Sequence, residues 1–233
     1  MSRRPGRPKA EETALDRARI VAAALALVDG QGVAALSMRR LGAELGVDPM
    51  AIYRHLPDKQ ALLEAMVAQV FSELRVEGEP ASGWQEQVRA FARAYRAMAQ
   101  AHPNLVLHLV ADSAAATQAA LLANEALYDA LLGAGLPPRL VLLSGDLLID
   151  FLNGFALGER GGALGAPGER RGLRDLLEQQ PPDRFPALRR VFAGFSDDTP
   201  TVDFEGQLDI LLAGITSLKI HRSGAEDAEE TAC

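Results

Sequence analysis

The chain predicts an all-α fold in two unequal parts, and three observations support that. No apolar/polar alternation of period two runs for any useful length, so strands have no support. Apolar residues recur instead in steps of three and four. The chain is 48% hydrophobic but only 5% aromatic, so its core must come mainly from Leu, Ala and Val. Two short segments with sharp helix-start signals also lie either side of Gly46. At 233 residues there is length enough for a small domain and a sizeable second core.

The first helix is read from Ile20, Ala24, Leu27 and Val28, with Asp29-Gly30 closing it. A secretory signal is the competing reading of Ile20 to Val28, but Glu11, Glu12 and Asp16 stand where such a signal would be positive. The next helix starts at Ser37 as cap, is stapled by Leu36 and Leu41, and ends at Gly46, a residue that closes a helix with positive φ. Its successor has Asp48 as cap, Pro49 at the first helical position and Val47 with Ile52 as staple. Leu41, Leu45, Val47, Ile52 and Leu56 then face a small core. Met50, Ala51, Tyr53 and Arg54 are left pointing outward, an arrangement suited to a DNA major groove. A plain helical corner with a solvated Arg54 is the bland alternative.

Charge is segregated along the chain. The net charge is -7, yet residues 1 to 60 hold ten Lys and Arg against seven Asp and Glu, and the remainder 14 against 24. A basic part can approach phosphate while an acidic part keeps the protein soluble. The first residues, MSRRPGRPKA, carry Arg3, Arg4, Arg7 and Lys9 without an acid, spaced by Pro and Gly, and predict a disordered arm over residues 1–12. Its Pro5 to Lys9 core is similar to an AT-hook, a strip that enters the minor groove of A·T-rich DNA. A purely electrostatic tail explains the same residues.

The run GVDPMAIYRHLPDKQALLEAM, preceded by LSMRRLGAELG and an amphipathic helix, resembles the N-terminal domain of the tetracycline-repressor (TetR) family of transcriptional regulators, over about Leu15 to Met66. Tyr53, His55, Lys59 and Leu62 form its most specific stretch. The resemblance implies a homodimeric, all-helical repressor whose larger C-terminal domain binds a small molecule. It also implies DNA contacts at Arg39, Met50, Ala51, Tyr53, Arg54, His55 and Lys59. Pro49 stands where the tetracycline repressor has a polar, base-reading side chain, so the docking mode carries over and the operator sequence does not.

The DNA-binding domain is expected over residues 13–60 and a ligand-binding and dimerisation domain over 61–222. A helix from Lys59, capped by Asp58, to about Leu74 joins them, with Leu62, Met66, Val70 and Leu74 inward. After a break at Glu77 to Pro80, Ser82 and Gln85 form a capping box, and Trp84, Val88, Phe91, Tyr95 and Met98 make one apolar stripe. That helix stops at His102-Pro103. A short one follows from Leu105 to Val110, then one from about Ala114 to Leu132. Leu140 to Gly158 is apolar nearly all round, which predicts burial on several sides. Asp146, Asp150 and Asn153 argue against a membrane span. Phe204, Leu208, Leu211, Ile215 and Leu218 form another stripe, and these two long helices predict a four-helix dimer interface. Glu159 to Gly168 reads as a mobile loop, Pro181-Pro182 as a break, and residues 223–233 as a disordered acidic tail.

No HExxH, GxSxG, Walker A or CxxC pattern occurs, and the histidines are scattered, so no catalytic residue is expected. The single cysteine, Cys233, fits a reducing compartment, and the protein is expected in the cytoplasm. A small-molecule site is expected among Trp84, Phe91, Tyr95, Leu105, His108, Leu109, Asp150, Asn153 and Phe155, an apolar set with a few polar groups. His108 also lies in a stretch resembling the region where the tetracycline repressor places a histidine on its drug-bound magnesium, with Glu159 near a second position of that shell. The spacing is one residue short, and no metal or other cofactor is expected. The sequence thus predicts a ligand-responsive repressor acting on double-stranded DNA as a homodimer, away from membranes. An architectural DNA protein without an effector and a helical enzyme or carrier are the alternatives.

Overall fold

The computed structural model describes residues 15–74, 83–111, 118–161, 169–194 and 203–230. Among these there are eleven α-helices and no strand: α1 (Arg17–Gln31), α2 (Met38–Leu45), α3 (Pro49–Tyr53), α4 (Lys59–Ser72), α5 (Trp84–Ala101), α6 (Pro103–Ala111), α7 (Gln118–Leu132), α8 (Pro138–Gly161), α9 (Glu169–Glu178), α10 (Pro186–Ala193) and α11 (Phe204–Glu230). A single 3-10 turn (Val33–Ala35) precedes α2. The basic arm, the break at Glu77 to Pro80 and Ser82 lie outside the described residues.

Side-chain caps start the first four helices. Carboxylate oxygens of Asp16, Asp48 and Asp58 accept from the backbone N–H of Arg19, Met50 and Ala61 at 2.7, 2.8 and 2.7 Å, and Ser37 Oγ accepts from Arg40 N–H at 3.2 Å. Each cap contributes about 1 kcal/mol by satisfying a donor that the helix cannot. Gly46 closes α2 in the left-handed region, at φ 69 and ψ 29. α1 runs past Asp29-Gly30, because Gly32, at φ 81, is the residue that leaves the helix. At Gly42 any Cβ would come within 2.9 Å of the Val47 carbonyl oxygen, so the close approach of α2 to the start of α3 needs glycine there.

Ile20, Ala24 and Val28 of α1, Leu41 of α2, Ile52 of α3, then Leu56, Leu62, Met66 and Val70, are all buried in one cluster. That cluster continues into the rest of the chain, because α1 packs on α4 and α6 while α4 packs on α7. The first three helices and the larger part therefore share a core among the described residues.

α5 buries Val88, Phe91, Tyr95 and Met98, as the stripe predicts, with Trp84 half-buried at its edge. It begins one residue later than a Ser82 cap would require: Gly83 is the cap, and having no side chain it makes no capping bond. α8 packs through Val141, Ser144, Leu148, Leu152 and Phe155, but Leu142, Leu143 and Leu147 are about half exposed, so within one chain it is buried on one side. α8 is long and apolar enough to cross a membrane by length and composition. It extends to Gly161, so Glu159 and Arg160 are helical where a loop was expected, and residues 162–168 lie outside the described ones.

Beyond the Pro181-Pro182 break, Arg189 holds α9 to α10, its Nη2 donating to the carbonyls of Leu177, Gln180 and Pro181 at 2.5, 2.9 and 3.3 Å. α11 buries Phe204, Leu208, Leu212 and Ile215 and leaves Leu218 exposed. Its helical backbone continues to Glu230 where a structureless tail was expected, consistent with the Ala and Glu content of that stretch.

Candidate DNA-reading face and effector domain

α3 is only five residues long and is held by its neighbours. Ile52 and Leu56 anchor it inward and Val47 packs at the rim of the core, which fixes the direction of the opposite side. There Met50 is 66% exposed and Tyr53 40% exposed, and Arg54, His55, Lys59 and Arg39 are exposed too. Ala51 is half-buried. Arg39, Arg54 and Lys59 have no ion-pair partner among the described residues, so their charge is available to a polyanion. Arg40, which sequence inspection passed over, shares the start of α2, and its guanidinium hydrogen-bonds Gln31 Oε1. Arg3, Arg4, Arg7 and Lys9 lie outside the described residues.

The expected ligand residues do not all meet. Phe91, Leu105 and Phe155 are buried in the core, Trp84 and Leu109 pack against it, and His108 is half-buried. Tyr95 is buried and its hydroxyl donates to Asn153 Oδ1 at 2.6 Å; burial pushes its pKa up to about 12. Asp150 is exposed and makes no hydrogen bond or ion pair among the described residues, so the structure does not bring it to that pair. One turn beyond Tyr95 and Asn153, Ala99 and Ala156 line a cleft of about 380 Å³ together with Gln100, Pro103, Glu159 and Arg160.

Glu159 is held by neighbouring side chains. Arg96 donates to it at 2.6 Å and Gln100 at 3.2 Å, and the Arg96 guanidinium lies over the rings of Phe155 and Phe204, 5.2 and 4.8 Å from their centroids. No group of residues suited to a metal occurs among the described residues.

A second polar cluster joins the two parts of the chain. His102 Nδ1 lies 2.9 Å from Asp29 Oδ2, and Asn104 Nδ2 donates to the carbonyls of Val28 and Asp29 at 2.8 and 2.9 Å. Sequence inspection missed it because its members stand more than seventy positions apart, and neither His nor Asn there belongs to a periodic pattern.

A short exposed helix bearing unpaired cations, braced by two helices and continuous with a larger helical domain, defines a helix-turn-helix DNA-binding regulator. The model described as "Bacterial regulatory proteins, tetR family" matches residues 20–66, and "Tetracyclin repressor-like, C-terminal domain" matches residues 77–218. The chain belongs to the TetR family of transcriptional regulators. A HTH-type transcriptional regulator of Saccharopolyspora erythraea is 28% identical over 92% of this chain and 90% of its own. The HTH-type transcriptional repressor DrrR1 of Streptomyces coeruleorubidus is 39% identical over 45% of this chain, a match spanning 38% of that relative. The crystal structure of the TetR family protein ActR from Streptomyces coelicolor in complex with actinorhodin superposes with a TM-score of 0.72 at 30% identity, covering 88% of this chain and 98% of that one.

Proposed function

We propose that this protein is a ligand-responsive transcriptional repressor that binds a palindromic operator as a homodimer in the cytoplasm and is released by a small-molecule effector. The observation that carries the reading is the solvent-facing set Arg39, Met50, Tyr53, Arg54 and Lys59, held outward by a buried underside. Two such faces, roughly 34–36 Å apart in a dimer, would enter successive major grooves. The residues of the basic arm would add contacts to phosphate or the minor groove.

Dimerisation is assigned to α8 and α11. Leu143, Leu147, Ile210 and Leu218 are exposed and line one apolar groove with Leu140 and Ile215. Contiguous apolar surface of this kind is rare on a free monomer.

The effector site is assigned to the helices around the Tyr95–Asn153 pair, reached through the cleft between Gln100 and Arg160. That ActR was solved in complex with actinorhodin supports a small-molecule effector. Gln100 and Pro103 flank His102, whose contact with Asp29 ties the domain to α1. An effector that prefers a differently spaced conformer by about 5 kcal/mol would turn operator binding off.

Selection of bound DNA from a random duplex pool, repeated with candidate small molecules, tests the proposal. A palindromic consensus whose binding a ligand abolishes is expected. Weak sequence preference with no ligand effect would favour an architectural protein, and no binding at low salt would sink the DNA-binding reading.

A further inference from the structure

We infer that this protein reads thymine methyl groups in its operator, with Met50 the residue that contacts them; the inference rests on the DNA-binding reading above. It comes from what the outward face lacks. Adenine is read in the major groove by an Asn or Gln amide, and cytosine N4 by a free carboxylate. α3 carries no Asn or Gln and no carboxylate within it. The one carboxylate at the start of α3, Asp48, is occupied by the Met50 backbone N–H at 2.8 Å. On the flanking helices, Gln31 Oε1 is hydrogen-bonded to the Arg40 guanidinium and Gln60 Nε2 to Glu64 Oε1 at 3.3 Å.

Apart from the Tyr53 hydroxyl and the His55 imidazole, what remains on this face is cationic or apolar. Arg39 and Arg54 suit guanine or phosphate. Met50, with Ala51 beside it, offers a thioether chain that is 66% exposed at the second position of α3, the end of a recognition helix that addresses base edges. An exposed, unbranched, polarizable side chain conforms to a methyl group. The only major-groove feature it can distinguish by contact is the C5-methyl of thymine. A·T pairs under α3 are therefore read from the thymine side.

The test uses the duplex selected by the full-length protein. Each dT of both half-sites is replaced in turn by dU, which keeps every hydrogen-bonding group and removes only the methyl. At one or two positions per half-site, affinity is expected to fall about fourfold for each methyl removed, the worth of one buried methyl-sized group. Met50→Ala is expected to bind the dT and dU duplexes equally, and Met50→Leu to restore the difference, with thermal unfolding unchanged for both because the side chain is exposed. Duplexes in which dU is tolerated everywhere, a selected half-site without thymine, or a Met50→Ala protein that discriminates as well as wild type would each overturn the inference. A pool that yields no preferred sequence would instead remove the repressor reading itself.

Discussion

The imidazole of His102 meets the carboxylate of Asp29 at 2.9 Å, joining the end of α5 to the last turn of α1. A carboxylate only accepts, so Nδ1 of the imidazole carries the proton. Asp29 Oδ1 is buried and has no hydrogen-bond partner among the described residues, and Asn104 beside it satisfies the backbone carbonyls of Val28 and Asp29. The Val28 carbonyl is also bonded by Gly32 N–H, so Asn104 matters most to Asp29. Asn104→Ala is expected to lower unfolding stability by about 1 kcal/mol, the cost of losing hydrogen bonds to a partly buried acceptor. Urea unfolding measures the loss, and faster amide exchange in the last turn of α1 would locate it.

The exposed apolar face of α8 carries a prediction about assembly. Leu143 is about half exposed in the single chain and lines the groove with Ile210. Leu143→Glu is expected to shift sedimentation from dimer to monomer and to weaken operator binding, while changing folding stability by about 0.5 kcal/mol or less. A sedimentation profile unchanged by the substitution would move the interface elsewhere.

For the basic arm the expected signature is in salt dependence. Deleting residues 2–9 removes Arg3, Arg4, Arg7 and Lys9. The slope of log affinity against log salt is expected to flatten by roughly 0.9 for each phosphate that the arm no longer neutralises. Equal affinity and slope for the truncated protein would exclude the arm from binding.

Helix packing supplies another case. The ring of Tyr128 on α7 lies against Gly145 on α8, where a Cβ would come within 2.5 Å of it. Gly145→Ala is expected to destabilise by about 1–3 kcal/mol through overpacking, and Tyr128→Leu in the same chain to recover part of it. Calorimetric unfolding of the single and double variants checks both.

Acid stability depends on Glu205. Arg93 donates to it at 2.8 and 3.0 Å, and that hydrogen bond holds the Glu205 carboxyl below its ordinary value of 4.5. A carboxyl lowered on folding adds stability above its ordinary range, and the gain is lost as pH falls through the lowered value. Both side chains are about half exposed, so solvent screening limits the gain to about 0.5 kcal/mol. Arg93→Met is expected to lower the urea midpoint at pH 7, and its difference from wild type to shrink progressively as pH is taken below 4.5.

Much of the regulator was legible locally. Ser37, Gly46, Asp48, Pro49 and Asp58 act where their backbone chemistry predicts, because caps and glycine turns depend on residues within three positions of one another. The stripe from Val88 to Met98 was legible for a similar reason, since helical periodicity alone brings such residues to one side. The ligand set was less legible: Tyr95 and Asn153 meet, but Asp150 stays at the surface, because an apolar helix does not declare which of its sides a neighbour will cover.

The amino-acid sequence alone determined the starts of the first four helices, the turn at Gly46 and the outward course of Met50, Tyr53 and Arg54, all products of short-range sterics and hydrogen bonding. Tertiary structure alone decided that Glu159 is paired with Arg96, and that His102 and Asn104 grip the end of α1. Those pairings join residues more than sixty positions apart, and their partners follow from how helices pack across a shared core, which no local pattern encodes.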